Sequence, residues 1–274
     1  LGYEKLSESK ITVGVKYTTR IYRRSPEDLP GAPSLVISPN LPNNQTAGVA
    51  VPIEGDRWMV TLVGWTEPPP RDDAGFLAFA QALPAPDIGN LIRQAEPLSD
   101  AVGYEYRCGL RHHYEKLSRF PTGYLVMGDA FCSFDPIYGQ GMTSALMQAA
   151  LLDRLLEQSV NAPQLARQFF KQAAKIIDIP WQMTVNEDFR LPTTQGKKPL
   201  GTDLINAYTR LVQQATHTDP VVYTAFLRAM NLVAPPSSLF HLHILWRVFQ
   251  ANRRPAAPLH YSRDRRIVLD KTPG

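Results

Sequence analysis

Residues 128–142 hold a Gly-Asp pair at Gly128-Asp129, a proline at Pro136 and the run Gly139-Gln140-Gly141-Met142. A carboxylate such as Asp129, at the carboxyl edge of a sheet, can accept hydrogen bonds from sugar-like hydroxyls. In α/β folds ligands gather at that edge. Gly128 lets another backbone or a ligand come close. Pro136 fixes the loop, while Gly139 and Gly141 permit tight turning at a helix start. The first N–H groups of a helix have no partner within it, and the dipole behind them favours negative charge on whatever lies there. One bound molecule satisfies both ends if it has a polyol chain and a ring that becomes anionic. A purely structural reading also exists: a strand capped by Asp129, a proline turn and a glycine-started helix. The order of the parts favours function.

These residues need a strand before them and a helix after them. "YLVMGD" (124–129) is a short apolar run that reads as a fully buried strand. A helix is expected from about Gly141 to Gln158, with Leu146, Ala149, Ala150, Leu152 and Leu155 on its apolar side. Upstream, "ITVGVKYTTRIY" alternates like a strand and "SLVIS" is a short buried run. "TAGVAVPIEGDRWMVTLVGW" reads as a hairpin around Glu54-Gly55-Asp56. After the break "TEPPPRDD", Asp72 or Asp73 offers an N-cap to "AGFLAFAQAL", and a second helix covers "APDIGNLIRQA". "AVGYEYRCGLRHHY" returns to strand. From residue 161 helices are expected in "APQLARQFFKQAAKIID", "LGTDLINAYTRLVQQA", "DPVVYTAFLRAMNLV" and "SSLFHLHILWRVFQ", before a loose Pro-rich end, "RRPAAPLHYSRDRR". The fold class is therefore α+β. Residues 1–111 are expected to form a β-sheet region, 112–160 the βα unit, and 161–274 a helical region.

Composition narrows the function. The chain of 274 residues is 44% hydrophobic and 20% charged, with a formal charge of +4, ordinary values for a globular protein. Basic residues do not interleave with aromatics along one element, which argues against nucleic acid. No run approaches the about 18 apolar residues of a spanning helix. A packed core role is preferred for the last helix over membrane contact. Cys108 and Cys132 make no metal pattern and read as reduced thiols, Cys132 as a packed small residue, so a cytoplasmic location is expected. His241 and His243 stand two apart and share no helix face, so no metal is expected. No Gly-x-Ser-x-Gly elbow surrounds any serine. Tyr104, Tyr106 and Arg107 could line a substrate cavity, though alternating sheet positions explain them as well.

A flavin has both the polyol and the ring that the 128–142 segment suits. "GDAFCSFDPIYGQGMTSAL" resembles the C-terminal FAD-contact motif of the group A flavoprotein monooxygenases, the aromatic-hydroxylase and polyene-epoxidase superfamily. The segment "EGDRWMVTLVGW" and the closing helices resemble a bacterial branch of it. The resemblance implies that Gly128 and Asp129 meet the ribityl or pyrophosphate region of FAD. It also implies that Pro136 lies near the flavin ring, and that Gly139, Gln140, Gly141 and Met142 line its pyrimidine edge. Thr143 stands where common members have Asn, and Asp135 before the proline departs from their pattern. The Gly-x-Gly-x-x-Gly that binds the ADP part is absent, since Ser144 follows Gly139-x-Gly141. The chain is thus expected to be the C-terminal portion of a longer flavoprotein, partnered by an N-terminal FAD-binding portion of about one domain. The implied activity is oxygenation by O₂, a hydroxylation or epoxidation, of a small organic substrate, lipophilic ones included. NAD(P)H would be the reductant, and no catalytic acid or base is required of this chain. The alternatives are a reductase of the geranylgeranyl-reductase type, a flavin-dependent halogenase, and an FAD-free binding module.

Overall fold

The computed structural model describes residues 5–29, 34–158 and 161–253, so Leu1–Glu4 and the tail after Arg253 lie outside the described residues. Seven strands form one sheet: β1 (Glu8–Arg23), β2 (Leu35–Ile37), β3 (Thr46–Ile53), β4 (Arg57–Gly64), β5 (Val102–His112), β6 (Cys132–Ser133) and β7 (Gln195–Gly196). Their order is β2-β3-β4-β1-β5-β6, with β7 alongside β1. Every pairing among the described residues is antiparallel. The Glu54-Gly55-Asp56 turn closes the β3–β4 hairpin in register Ile53↔Arg57, with positive φ at Gly55 and Asp56.

The central strand β1 serves two cores, one on each face. Successive strand residues point to opposite sides, and β1 buries Ile11, Val13, Val15 and Tyr17 on one side, then Thr18, Arg20 and Tyr22 on the other. Its second half packs with Trp58, Val60 and Leu62 against α1 (Asp73–Gln81) and α2 (Asp87–Gln94), which contribute Phe76 and Ile88. Asp72 caps α1, accepting from the Gly75 N–H at 2.8 Å, as the sequence predicts. The first half of β1 faces Ala47, Val63, Trp65, Tyr106, Leu191 and the partly buried Ile137. A register shift between Thr12 and Val15 in the β1–β5 pairing holds Gly14 at φ 71°.

The remaining helices are α3 (Gly141–Glu157), α4 (Ala162–Asp188), α5 (Thr202–Thr216), α6 (Pro220–Met230) and α7 (Leu242–Arg253). A third core joins α3 and α4 through Leu151, Leu155, Phe169, Phe170 and Ile177, and takes in Val126, Phe131 and Phe134. Arg111 on β5, almost wholly buried, ties the sheet to α4. Its guanidinium meets Asp178 at 2.8 Å and Glu115 at 3.0 Å, and touches His113. The helices α5, α6 and α7 share a fourth core around Val212, Val222, Ile244 and Val248. No described helix is long and apolar enough to cross a membrane.

Three sequence expectations need correction. Tyr124–Asp129 is not a strand: residues 124–127 carry no regular structure and Gly128–Ala130 form a 3₁₀ turn. A strand needs a ladder partner, and among the described residues the neighbouring edge of β5 pairs with Cys132–Ser133 instead. The apolar run packs without a ladder, burying Val126 and leaving Tyr124 and Met127 exposed. The α3 helix buries Ser144, Gln148, Leu151 and Leu155, whereas Leu146 is 71% exposed. Of the expected apolar side, Leu155 and the partly buried Leu152 pack into the α3–α4 core, while Leu146 does not. Finally, α4 does not end near Asp178 but runs through Pro180 to Asp188.

Phe170 meets Tyr114, Phe120, Phe131 and Phe169 with ring centroids 4.6–5.5 Å apart. Phe170→Ala should therefore destabilise the fold by about 3–5 kcal/mol, read as a lower urea midpoint with an unchanged slope.

Candidate functional site

Gly128 opens the site. It sits at φ 63°, a left-handed conformation that favours glycine. Its N–H donates to Gln148 Oε1 at 3.0 Å, and the Gln148 amide in turn donates to Ser144 Oγ at 3.2 Å. The two polar residues on the buried face of α3 thus hold the Gly-Asp turn against that helix, an arrangement a purely apolar helix pattern does not reveal.

Asp129 is exposed. Among the described residues no hydrogen bond or ion pair engages its carboxylate, and the 3₁₀ turn closes instead by Phe131 N–H to Gly128 O at 2.9 Å. A side chain that capped its own loop would show such a bond. Asp129 Oδ1 lies 3.9 Å from where a Cβ at Gly141 would stand, so the carboxylate faces the start of α3.

Asp135 caps the next turn from inside. It is 1% exposed, and its Oδ1 accepts from the Tyr17 hydroxyl at 2.6 Å and from the Ile137 N–H at 3.1 Å. Pro136–Tyr138 form a 3₁₀ turn that ends at Gly139, at φ 65°. Pro136 and Gly139 are exposed. Gln140 turns inward, 3% exposed, and its amide donates to the Met230 carbonyl at 2.9 Å. Its side chain therefore anchors the turn to the end of α6, and what it offers at the surface is backbone.

The α3 helix starts without a side-chain cap. The first N–H with a partner is that of Ser144, bonded to Gln140 O at 3.0 Å, so those of Gly141, Met142 and Thr143 take no acceptor among the described residues. A Cβ at Gly139 would meet nothing within 4 Å, so the backbone there borders open space. Met142 is 82% exposed beside it. The free N–H donors of α3 and the free Asp129 carboxylate thus lie side by side at this helix start. That donor set fits the ring edge and the hydroxylated chain of a flavin.

Beneath the floor lies a contribution the sequence reading missed. Tyr138 donates to Asp188 Oδ1 at 3.2 Å, and Asp188 is the last residue of α4. The available signal was the spacing of Ala173, Ile177, Trp181 and Val185, which continues in steps of four across Pro180. Other candidates fall away. Tyr104 is 63% exposed and the Arg107 side chain points to solvent, while Tyr106 is buried with its hydroxyl on Ser133 O at 3.2 Å. The three do not line a common cavity. Cys132 is buried, and burial raises its thiol pKa well above the usual value.

Comparisons with known proteins agree with this architecture. The sequence model of the squalene epoxidase family (SE: Squalene epoxidase) matches residues 72–175. Protein Rv3254 of Mycobacterium tuberculosis is 28% identical over 264 residues, covering 92% of this chain and 54% of that protein. The chain thus spans about half the length of the curated relative it matches. The flavin-dependent brominase Bmp2 superposes with a TM-score of 0.54 at 13% identity, over 90% of this chain and 59% of that one. Klebsiella pneumoniae HpxO, solved in complex with FAD, superposes with a TM-score of 0.51 at 16% identity, over 84% of this chain and 56% of its own. The chain shares the fold of these two flavoprotein structures, and the squalene epoxidase model matches part of it.

If Gln148 fastens the Gly-Asp turn, Gln148→Leu leaves the Gly128 N–H unpaired. It should lower stability by about 1–3 kcal/mol, and amide exchange at Gly128 should rise more than at residues of β1.

Proposed function

We propose that this chain provides the flavin-ring side of an FAD-dependent monooxygenase. In that reading NAD(P)H reduces the FAD, and one oxygen atom of O₂ is inserted into a small organic substrate. The observation that carries it is the free Asp129 carboxylate beside the uncapped, glycine-bordered start of α3. FAD, when bound, supplies the redox and oxygen chemistry. Asp129 would accept hydrogen bonds from ribityl or ribose hydroxyls. The N–H groups of Gly141 and Met142, with the helix dipole behind them, would favour negative charge at the ring edge. Pro136 and Gly139, both exposed beside the start of α3, would border the ring. No residue of this chain is assigned as acid or base. In this reading the ADP part of FAD is held by a partner portion bearing the missing glycine motif, and residues 112–160 complete that domain.

The charged-acceptor contact of Asp129 is worth about 1.5–3 kcal/mol. Asp129→Ala should therefore weaken FAD binding by roughly ten- to a hundredfold, each 1.4 kcal/mol being about tenfold. Because the side chain is exposed and unpaired, the melting temperature of the apoprotein should stay within about a degree. Equal FAD affinities with a lower apo melting point would assign Asp129 to loop structure instead. Turnover separates the activities. NADPH-dependent O₂ uptake with an oxygenated product, unaffected by halide, supports the monooxygenase. Reduction of a substrate double bond without O₂ uptake would support the reductase.

A further inference from the structure

Two carboxyl groups lie buried under the Pro136–Tyr138 turn, and the proposed chemistry uses neither. Asp135 is 1% exposed and Asp188 3%. Asp135 Oδ1 takes its two hydrogen bonds from Tyr17 and Ile137, while its Oδ2 is buried with no partner. Asp188 Oδ1 has the Tyr138 hydroxyl. Tyr17 comes from β1, Tyr106 from β5, Tyr138 from the turn itself, and Glu187 from α4. None of these is a cation. Arg190 is paired with Glu187 at 3.0 Å and reaches the Gln213 side chain and the Asn206 carbonyl, and it does not contact Asp188. Two buried carboxylates that feel each other's charge and have no counter-cation cannot both ionise cheaply.

We propose that Asp135 and Asp188 are positioning residues that retain a proton between them near neutral pH, and that this proton keeps the turn at the start of α3 closed for flavin. The proposal rests on the flavin reading above. Protonation of Asp135 removes the charge from its orphaned Oδ2, which lowers the cost of burying that oxygen without a partner. The Gln140 Oε1 at the same turn is a second buried acceptor with no partner, and the Trp65 Nε1 of the layer that holds Tyr17 is a buried donor with none. Burial raises the Asp135 pKa to about 6, against the hydrogen bonds from Tyr17 and Ile137 that lower it. Burial and the charge of Asp135 raise the Asp188 pKa well above the usual carboxylate range. Loss of the proton would leave two repelling anions beneath Pro136–Tyr138. The turn, and with it the N–H donors of α3, would then shift away from the flavin ring.

The sign follows from linkage. A carboxyl with a raised folded pKa stabilises the fold fully below its unfolded pKa, about 3.9. That stability is lost as pH rises from there through the folded pKa. The test uses the full natural chain with wild type, Asp135→Asn, Asp188→Asn and the double Asn variant, where Asn keeps the neutral shape. Apo melting temperatures are measured from pH 4.5 to 8.5, and FAD affinity from pH 5.5 to 8.5. Wild type should lose stability relative to the double Asn variant as pH rises. Its FAD affinity should fall by up to about tenfold per pH unit above the midpoint, while the double variant holds its own. If the double variant fails to fold, either single variant, with one carboxyl left to titrate, should show a smaller pH dependence than wild type. Parallel apo melting profiles would overturn the shared proton. Diverging melting profiles with pH-independent wild-type FAD affinity would overturn the coupling to the site. Absence of FAD binding at every pH would overturn the flavin reading and the coupling with it, while the apo profiles still decide the proton.

Discussion

The Tyr17 hydroxyl donates to the buried Asp135 carboxyl at 2.6 Å, and residues far apart in sequence meet through it. Tyr17 lies where β1 changes the face it buries, so its side chain is the last of four that point toward the helical half. The hydrogen bond fastens the sheet to the turn that starts α3. Ile137 sits in the same apolar layer as Val15, Tyr17 and Trp65, which keeps water from competing for the contact. Without a floor fixed in this way, the free N–H groups of α3 would have no defined position relative to Asp129.

The same site is held from two further directions. From the side, Gln148 fixes Gly128 to α3, and from below, Gln140 fixes the helix start to the end of α6. Each of these residues spends its amide on structure. Among the described residues, the backbone donors of Gly141–Thr143 and the Asp129 carboxylate are left there without hydrogen-bond partners. A missing N-cap costs a helix about 1 kcal/mol, and the fold tolerates that deficit at one of its longer helices. An unsatisfied helix start beside an unpaired carboxylate, on an over-determined support, is what a ligand site requires.

Much of this was legible in the chain. The Val/Ile alternation of β1, the Glu54-Gly55-Asp56 hairpin and the Asp72 cap depend on neighbours a few residues away, and local chemistry was enough to read them. The 128–142 motif was legible because glycine, proline and aspartate constrain backbone and charge directly. Three features were not. Residues 124–127 have the composition of a strand, but strand formation needs a partner edge that composition cannot supply. The buried face of α3 carries Ser144 and Gln148 beside Leu151 and Leu155, so apolar periodicity alone locates only part of it. The passage of α4 across Pro180 contradicts local propensity. It holds because Trp181 and Val185 continue the packed stripe begun by Ala173 and Ile177, and because Thr184 Oγ1 donates to Pro180 O at 2.8 Å. That extension delivers Asp188 to the site, so the missed element was also the one that carries the buried carboxyl pair.

The central claim is that one flavin bridges Asp129 and the start of α3. Its most direct test is a crystal structure of the full natural protein with FAD bound. The account predicts an FAD hydroxyl within hydrogen-bond distance of the Asp129 carboxylate, and the ring edge against the N–H groups of Gly141 and Met142. FAD bound elsewhere, with Asp129 and those N–H groups facing solvent or capped by the protein itself, would contradict it.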